Sequence, residues 1–512
     1  MKSFFMGAVF DNSTLKDGRL LFNHSKKGEV EMKSIFKKSM SLVLALGITA
    51  SLAAGCGSQS GSSAAATPES TAVNSTAATE TQAAASSADG KKEFANKELN
   101  IAVFQGAYGR DFWDAAAAKF MEQYPGTKIN ITANAKLGEM IKPSIVAGNP
   151  PDFIYLNDGD PSGVTKGLIK DKAILDITDV FESKALDKDS KIRDLILPGF
   201  LETSYCTPYG DGKVYLAPYN YGVMGLWYNK DYFDKKGYSA PKTWDEFFAL
   251  NDKAKADGRA LFTYQGIYPG YLEEVLIPAI YAAGGQQAVD DFTGYKEGFW
   301  KSEAATKTMD IFSKIANTDN ALMKGTVALN HTQAQTAFMQ GKSMFCVNGN
   351  WFEGEMKDAP REDGFQFGFA GVPGFNAGDP TIALVSVEQM YIPAKSKNPE
   401  LAKEFMKFIY TDTSVKLNGE KAKAVMAVKG ATDMVKDYIT PSSYNCFKAV
   451  EQGMKPVVAA LKPVANGSKI NIADEIYKPF SSIMNKQLTV QEYADKLEKV
   501  YSKVRDELSK AQ

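Results

Sequence analysis

The chain has 512 residues, of which 44% are hydrophobic and 23% charged, enough apolar material for one large or two medium globular domains. Lysine and arginine number 59 and aspartate and glutamate 60, so no overall positive charge favours a nucleic-acid partner. Only two histidines occur, which disfavours zinc sites and Ser-His-Asp triads, and we expect a protein that is not an enzyme and has no cofactor, metal site or catalytic residue.

The first feature along the chain is an export signal. Three lysines after Met32 precede an apolar run that is shorter than the ~20 residues needed to span a bilayer. The run ends in Leu52-Ala53-Ala54-Gly55-Cys56, which resembles a bacterial lipobox. We therefore expect a signal peptide over residues 32–55 and a lipidated Cys56, with cleavage and free secretion as the alternative. Residues 1–31 carry mixed charges that signal peptides lack, which favours translation from Met32.

A linker follows the lipobox. Residues 57–90 are rich in Ala, Ser and Thr and contain no aromatic residue, so they cannot bury a core of their own. As a flexible coil this segment has a mean reach of about 30 Å. With Cys56 lipidated, it would tether a folded body to the outer face of the cytoplasmic membrane.

The body begins with alternating strand and helix patterns. The predicted elements are strand 99–104, a helix with Phe112, Ala116, Phe120 and Tyr124 on one face, strand 128–132, helix 137–147 and strand 152–156. This alternation predicts an α/β fold with a parallel sheet, in which ligands bind at the carboxyl ends of the strands. We therefore expect ligand-binding residues in the loops 108–111 and 157–160.

Further elements follow in the second half. Residues 213–228 form a long extended run, interrupted by a proline and two glycines, that could cross between lobes. Thr243 and Glu246 form a predicted capping box at a helix start, and further helices are predicted over 300–315 and 401–410.

Three cysteines remain in the body, Cys206, Cys346 and Cys446. The odd count leaves at least one free thiol, and the other two could pair or stay reduced. Buried free thiols are the expectation.

Several passages resemble extracellular solute-binding proteins of carbohydrate ABC transporters. They are GKVYLAPYNYGVMGLWYNKDYF, PKTWDEFFAL, AFMQGKSMFCVNGNW, FGFAGVPG and IPAKSKNPELAKEFMKFIYTD, and the resemblance covers residues 97–512. FQGAYGRDFW and LGEMIKPSIVAGNPPDFIYLN are similar to the branch that binds N-acetylglucosamine or chitin-derived disaccharides. The resemblance implies a class II periplasmic-binding-protein fold, with one sheet flanked by helices in each lobe and several crossings between lobes. It places 97–214 plus 365–410 in lobe 1 and 215–364 plus 411–512 in lobe 2.

A sugar site needs flat aromatic groups for the C–H face of a pyranose and planar polar groups for its hydroxyls. The predicted ligand-binding residues are Tyr108, Arg110, Asp111, Asn157, Asp158, Tyr219, Tyr221, Trp227, Tyr268, Asn350, Trp351 and Glu388. Alternatives stay open for several of them: Trp227 could be core, Asp111 could cap its helix, Asn157 and Asp158 could form a turn, and Glu388 could support a hinge. Trp113, Trp244 and Trp300 are predicted to be core residues.

The resemblance implies capture of a mono- or oligosaccharide by closure of the two lobes of a monomer, followed by delivery to ABC permease subunits. The energy would come from a partner ATPase, because the chain has no GxxxxGK[ST] loop. Two other functions stay open: a sensory receptor for a signalling kinase, and a glycosidase that uses two carboxylates and needs no histidine. Peptide or polyamine binding is a weaker possibility.

Overall fold

The computed structural model describes residues 93–510 except 107, 158, 463 and 466. The predicted signal peptide, Cys56 and the linker lie outside the described residues. Within the described part, no helix is both long enough and apolar enough to cross a membrane.

The body opens with the predicted alternation. Its first elements are β1 (Glu98–Phe104), α1 (Asp111–Gln123), β2 (Lys128–Asn134), α2 (Leu137–Val146), β3 (Phe153–Tyr155), α3 (Val164–Lys170), α4 (Thr178–Glu182) and α5 (Ile192–Leu195). β1 pairs in parallel with both β2 and β3, with Ile101 opposite Ile131 on one side and Phe153 on the other. Phe112 and Phe120 of α1 are buried, as their spacing predicts, and the α/β prediction is confirmed.

Two long strands occupy the middle of the sheet. They are β4 (Ala217–Asn229) and β8 (Ile382–Tyr391), which run antiparallel. The strand order is β2-β1-β3-β8-β4-β6-β5, with β7 on β4 and β9 on β8. Residues 217–224 of β4 pair with β8 and residues 224–228 pair with β6. One mixed sheet therefore continues through the body, where we expected a separate sheet in each lobe.

The elements between β4 and β8 are α6 (Lys230–Lys236), α7 (Trp244–Ala256), β5 (Ala260–Thr263), α8 (Glu273–Thr293), α9 (Glu303–Asn317), α10 (His331–Met339), β6 (Ser343–Gly349), α11 (Phe352–Glu355) and β7 (Phe367–Phe369). The Thr243 hydroxyl caps α7 by accepting from the amide of Glu246, as predicted. The Glu246 carboxylate accepts from the amide of Lys242 at 2.7 Å, one residue before the position expected in a capping box.

After β8 come α12 (Pro399–Ile409), α13 (Asp412–Ala422), α14 (Ala431–Met434), α15 (Pro441–Glu451), β9 (Lys455–Val457), α16 (Ile472–Tyr477), α17 (Phe480–Met484) and α18 (Val490–Lys510). Short 3₁₀ turns lie at Pro269–Leu272, Phe299–Lys301, Thr326–Ala328 and Lys436–Tyr438.

Two large apolar cores lie in the body. The first contains Phe112, Tyr155 and Trp227, and the second contains Trp244 and Trp300. Residues of α13 and α15 such as Val415 and Phe447 pack into the first core. The expected boundary, which assigned everything after residue 410 to the second lobe, stays a prediction.

Cys206, Cys346 and Cys446 are buried and free. Burial raises the pKa of the Cys206 thiol to about 12. Among the three body cysteines no disulfide forms, and the thiols behave as small apolar side chains.

Candidate ligand-binding site

The second core ends part of the way along β8. Ile382 and Leu384 are buried in that core, whereas Ser386, the next residue in the same alternation, is exposed. Gly222 of β4 lies opposite Ser386 in the ladder. The strands thus leave an uncovered stretch beyond the second core, and side chains from neighbouring segments surround it.

Two further segments reach the carboxyl ends of parallel strands. β5 pairs in parallel with β6, with Thr263 opposite Cys346. The loop after β5 carries Tyr268, and the turn after β6 carries Trp351, so both leave the sheet at the same edge. Carboxyl ends of parallel strands are where α/β sheets bind ligands.

Trp351 is the one partly exposed tryptophan of the five in the chain. The other four, Trp113, Trp227, Trp244 and Trp300, are at most 4% exposed. The Trp351 ring lies against the backbone of Gly349 and close to Gly222, because a Cβ at Gly349 would collide with the indole and one at Gly222 would come within 3.6 Å of it. No ring contact joins another aromatic side chain of the described residues to this indole, and glycine backbone lies beside it.

Asn350 holds the turn that presents Trp351. Its side-chain oxygen accepts from the amide of Val223 at 3.0 Å, and its carbonyl accepts from the Ser443 hydroxyl at 2.7 Å. The Asn350 side-chain oxygen thus ties the turn after β6 to β4, and its role as a ligand contact stays a prediction. Asn350 is a positioning residue.

Glu388 lies opposite a bulge in β4. Between the pairs Pro218–Gln389 and Tyr221–Val387, β4 has two residues and β8 has only Glu388. Bulges often direct a side chain toward a functional site. The Tyr155 hydroxyl donates a hydrogen bond to Glu388 Oε2, and the Tyr108 phenol lies close enough for the Glu388 charge to raise its pKa.

Burial also changes the pKa values of Glu388 and Tyr108. Loss of water raises the pKa of Glu388 to about 8. Burial, followed by the nearby Glu388 charge, raises the pKa of Tyr108 above its usual range. At neutral pH both groups are therefore uncharged, and each can donate a hydrogen bond.

The loop after β5 forms a second aromatic group. The rings of Tyr268 and His331 lie 5.8 Å apart, and both side chains are partly exposed. His331 is the first residue of α10, whose N-cap is Asn330. Gln335, one turn later, donates to the Glu355 carboxylate at 3.2 Å.

Three predicted aromatic ligands are core residues instead. The Trp227 indole N–H donates to the carbonyl of Asn348 at 2.7 Å, and the Tyr219 hydroxyl donates to Asn418 at 2.7 Å. Tyr221 packs between Phe200 and Phe447. All three are at most 1% exposed, because helices cover the face of β4 that they share.

The polar candidates of the first loops also have local partners. Arg110 forms a bidentate ion pair with Asp114, at 2.8 and 3.0 Å. Asp111 is the first residue of α1 and is exposed, and the N-cap position belongs to Arg110, which makes no side-chain cap bond. Asn157 accepts from the amide of Gln389 at 3.1 Å, which ties its loop to the residue after Glu388. Asp158 lies outside the described residues.

Sequence reasoning missed Tyr155 and Ser386. Tyr155 lies in a three-residue apolar strand, a pattern typical of core, and its hydroxyl is placed only by the antiparallel pairing of β3 with β8. Ser386 is a small residue within a strand. Alternation along β8 was the one signal that could have marked it.

The sequence model for the family described as bacterial extracellular solute-binding protein matches residues 106–416, more than half of the chain. The chain belongs to this family. Proteins that it resembles include the diacetylchitobiose binding protein NgcE of Streptomyces coelicolor, 27% identical over 81% of this chain and 86% of that protein. A second is the diacetylchitobiose binding protein DasA of the same organism, 25% identical over 66% of this chain and 75% of that protein.

The fold is also shared with solved structures. The apo form of RafE from Streptococcus pneumoniae superimposes with a TM-score of 0.63 at 18% identity, covering 80% of this chain and 99% of that one. The predicted two-lobed binding-protein fold is confirmed. The resemblance to the chitobiose-binding branch is also confirmed at the level of relatives, which are named as binding proteins.

Proposed function

We propose that this protein captures a neutral mono- or oligosaccharide at the uncovered stretch of β4 and β8 and delivers it to an ABC permease. Diacetylchitobiose is the first candidate ligand, because two relatives are named for binding it. The observation that carries the proposal is the support of Trp351, whose partly exposed ring lies on glycine backbone. Such a ring offers the flat apolar surface on which a pyranose can stack.

The groups around Trp351 supply the polar half of such a site. Ser386 is exposed beside Gly222, and Glu388 and Tyr108 add two partly exposed groups that donate and accept hydrogen bonds. Tyr268 and His331 provide a further aromatic surface on the loop after β5. A small-molecule site usually combines an aromatic surface with a small number of polar groups.

Anchoring belongs to the same proposal. A lipidated Cys56 and the linker over residues 57–90 would hold the monomeric body at the outer face of the cytoplasmic membrane, within reach of the permease. The body would close around the sugar and present the closed form to the permease.

A thermal-shift panel tests the proposal. Residues 91–512 are heated with glucose, N-acetylglucosamine, raffinose, and chito-oligosaccharides of two to four units, each at about one hundred times the expected Kd, where binding stabilises by about 2.7 kcal/mol. At least one glycan should raise the melting temperature. Trp351→Ala should lower that response, and the matched control Tyr438→Ala, an exposed aromatic on the 3₁₀ turn Lys436–Tyr438, should retain it.

The outcomes separate the three functions. A panel in which no glycan raises the melting temperature contradicts sugar capture. Mass spectrometry of the incubated glycan should show no cleavage, since a cleaved product would identify a glycosidase. Uptake of the glycan by cells should fall when the gene is deleted, whereas unchanged uptake with altered kinase signalling would identify a sensory receptor.

A further inference from the structure

We propose that Glu388 is a specificity-determining residue that donates a hydrogen bond to the sugar from a protonated carboxyl group. The inference rests on the proposed function and deepens it, because it defines what the ligand offers at this position. A protonated carboxyl donates one hydrogen bond, so it selects an uncharged sugar with an acceptor oxygen there, such as a hydroxyl or an amide carbonyl. An ionised carboxylate would instead accept from a hydroxyl or pair with an ammonium group.

The geometry leaves one carboxyl oxygen for the ligand. Tyr155 donates to Oε2, which fixes that oxygen as an acceptor. Oε1 has no hydrogen-bond partner among the described residues, and the side chain is partly exposed. A proton carried on Oε1 would therefore point to a site that Tyr155 does not occupy.

The surroundings favour the uncharged form. Among the described residues no lysine or arginine pairs with Glu388, and burial raises the pKa of its carboxyl group to about 8. The groups that face it are phenols: Tyr155 from β3 and Tyr108 from the loop after β1. From β4, opposite, come the phenol of Tyr219 and the amide of Asn220, both engaged with Asn418.

The charged groups of the loops after β1 and β3 have local partners. Arg110 forms its ion pair with Asp114, and Asp160 accepts from the Ser162 hydroxyl and amide. Among the described residues, no cation is paired with the Glu388 carboxyl group. With its pKa at about 8, the carboxyl holds its proton at neutral pH, and a bound sugar would exclude further water and strengthen this preference.

Affinity measured against pH tests the inference. Calorimetric titration with diacetylchitobiose, and in parallel with raffinose, is carried out between pH 6 and pH 9.5. The Kd should be constant below about pH 7.5 and should increase above pH 8, approaching about tenfold for each pH unit, because ligand-free Glu388 must regain a proton before it binds. Titrations in two buffers of different ionisation enthalpy should show proton uptake at pH 9.

Two variants assign the effect to Glu388. Glu388→Gln keeps a donor and an acceptor but has no proton to lose, so its Kd should not change with pH. Glu139→Gln, an exposed carboxyl on α2, should retain the wild-type pH dependence. Circular dichroism and the melting temperature of each variant establish that it is folded.

The results distinguish this inference from the proposed function. A wild-type Kd that does not change with pH, or a Glu388→Gln variant that keeps the wild-type dependence, overturns the role of the proton and leaves sugar binding intact. Failure of both sugars and of the whole glycan panel to bind at any pH overturns sugar binding and the inference with it.

Discussion

Trp351 reaches solvent because glycine backbone lies beneath its ring. A Cβ at Gly349 would occupy the space of the indole, and Gly222 opens the neighbouring strand. The other four tryptophans are covered by side chains. At this site the function of an aromatic residue is thus set by the residue type beneath it as much as by the ring itself.

Gly349→Ala should therefore weaken sugar binding without unfolding the protein. The added methyl group would displace the Trp351 ring from its backbone support, and we expect a loss of at least about tenfold in affinity, the equivalent of ~1.4 kcal/mol. Gly354→Ala is the control, because a Cβ there has open space around it. Titration calorimetry measures both, and equal affinities for the two variants would contradict the role of the glycine platform.

As ligand contacts, Trp351 and Glu388 stay predictions. The structure leaves both side chains partly exposed, Trp351 in the turn after β6 and Glu388 opposite the bulge in β4. The interpretation of Tyr219, Tyr221 and Trp227 as ligand contacts disagrees with their burial in the structure. An extended run does not reveal which of its faces helices will cover. Tyr155 was missed because its apolar strand is typical of a core. Its hydroxyl has a role only because it donates a hydrogen bond to Glu388 of the neighbouring strand β8.

Stability should decrease as pH rises from about 5 to about 8. Burial raises the pKa of Glu273 to about 7 and that of Glu388 to about 8, above the value of 4.5 in an unfolded chain. The stabilisation that these two groups contribute is fully present below the pKa of the unfolded chain, where both states hold these protons. It is lost as pH rises through the pKa values of the folded state. Each group can contribute a slope of about 1.4 kcal/mol per pH unit within its window.

Urea unfolding at half-unit pH intervals measures this slope. Glu273→Gln should reduce it, because the amide stays neutral in both states, and the exposed control Glu297→Gln should not change it. Stability that increases steadily from pH 5 to pH 8 would contradict burial of these two acids as uncharged groups.

At the scale of elements, the alternation of β1, α1, β2, α2 and β3 could be predicted to within one or two residues of each end. Local periodicity is sufficient there, since each helix buries one face and each strand is apolar. The assignment of α13 was not predictable in this way. An amphipathic helix can cover either core, and long-range hydrogen bonds from Asn418 to β4 accompany the packing that decides it.

Asn418→Ala tests that attachment. The Asn418 side chain accepts from the Tyr219 hydroxyl and donates to Asn220 and to the carbonyl of Ala424, at 2.7, 2.8 and 3.0 Å. Its removal leaves buried polar groups without partners, at a cost of about 1–3 kcal/mol each. We expect the free energy of unfolding to fall by about 2–4 kcal/mol in urea titrations. Lys416→Ala, exposed on the same helix, should change it by less than about 0.5 kcal/mol.

At the scale of the whole molecule, β4 and β8 lie between the two cores and contribute alternate side chains to each. Trp227 of β4 packs into the first core and Leu226 into the second, and Ala383 and Leu384 of β8 divide in the same way. The chain also passes from α15 in the first core to α16 in the second. The bulge opposite Glu388 interrupts the hydrogen-bond ladder between β4 and β8. Because bulges bend strands, we expect bending at this point.

Sugar binding should therefore compact the body by bending at these strands. In the proposed closure, ligand held against Trp351 would gain contacts from the opposite side only in the closed form, and binding would shift the population toward closure. Small-angle X-ray scattering with saturating diacetylchitobiose should give a smaller radius of gyration than the ligand-free body. Trp351→Ala at the same sugar concentration should keep the ligand-free value. Binding proven by calorimetry with no change in the radius of gyration would mean that capture occurs on a rigid body, and closure would not be the signal that the permease reads.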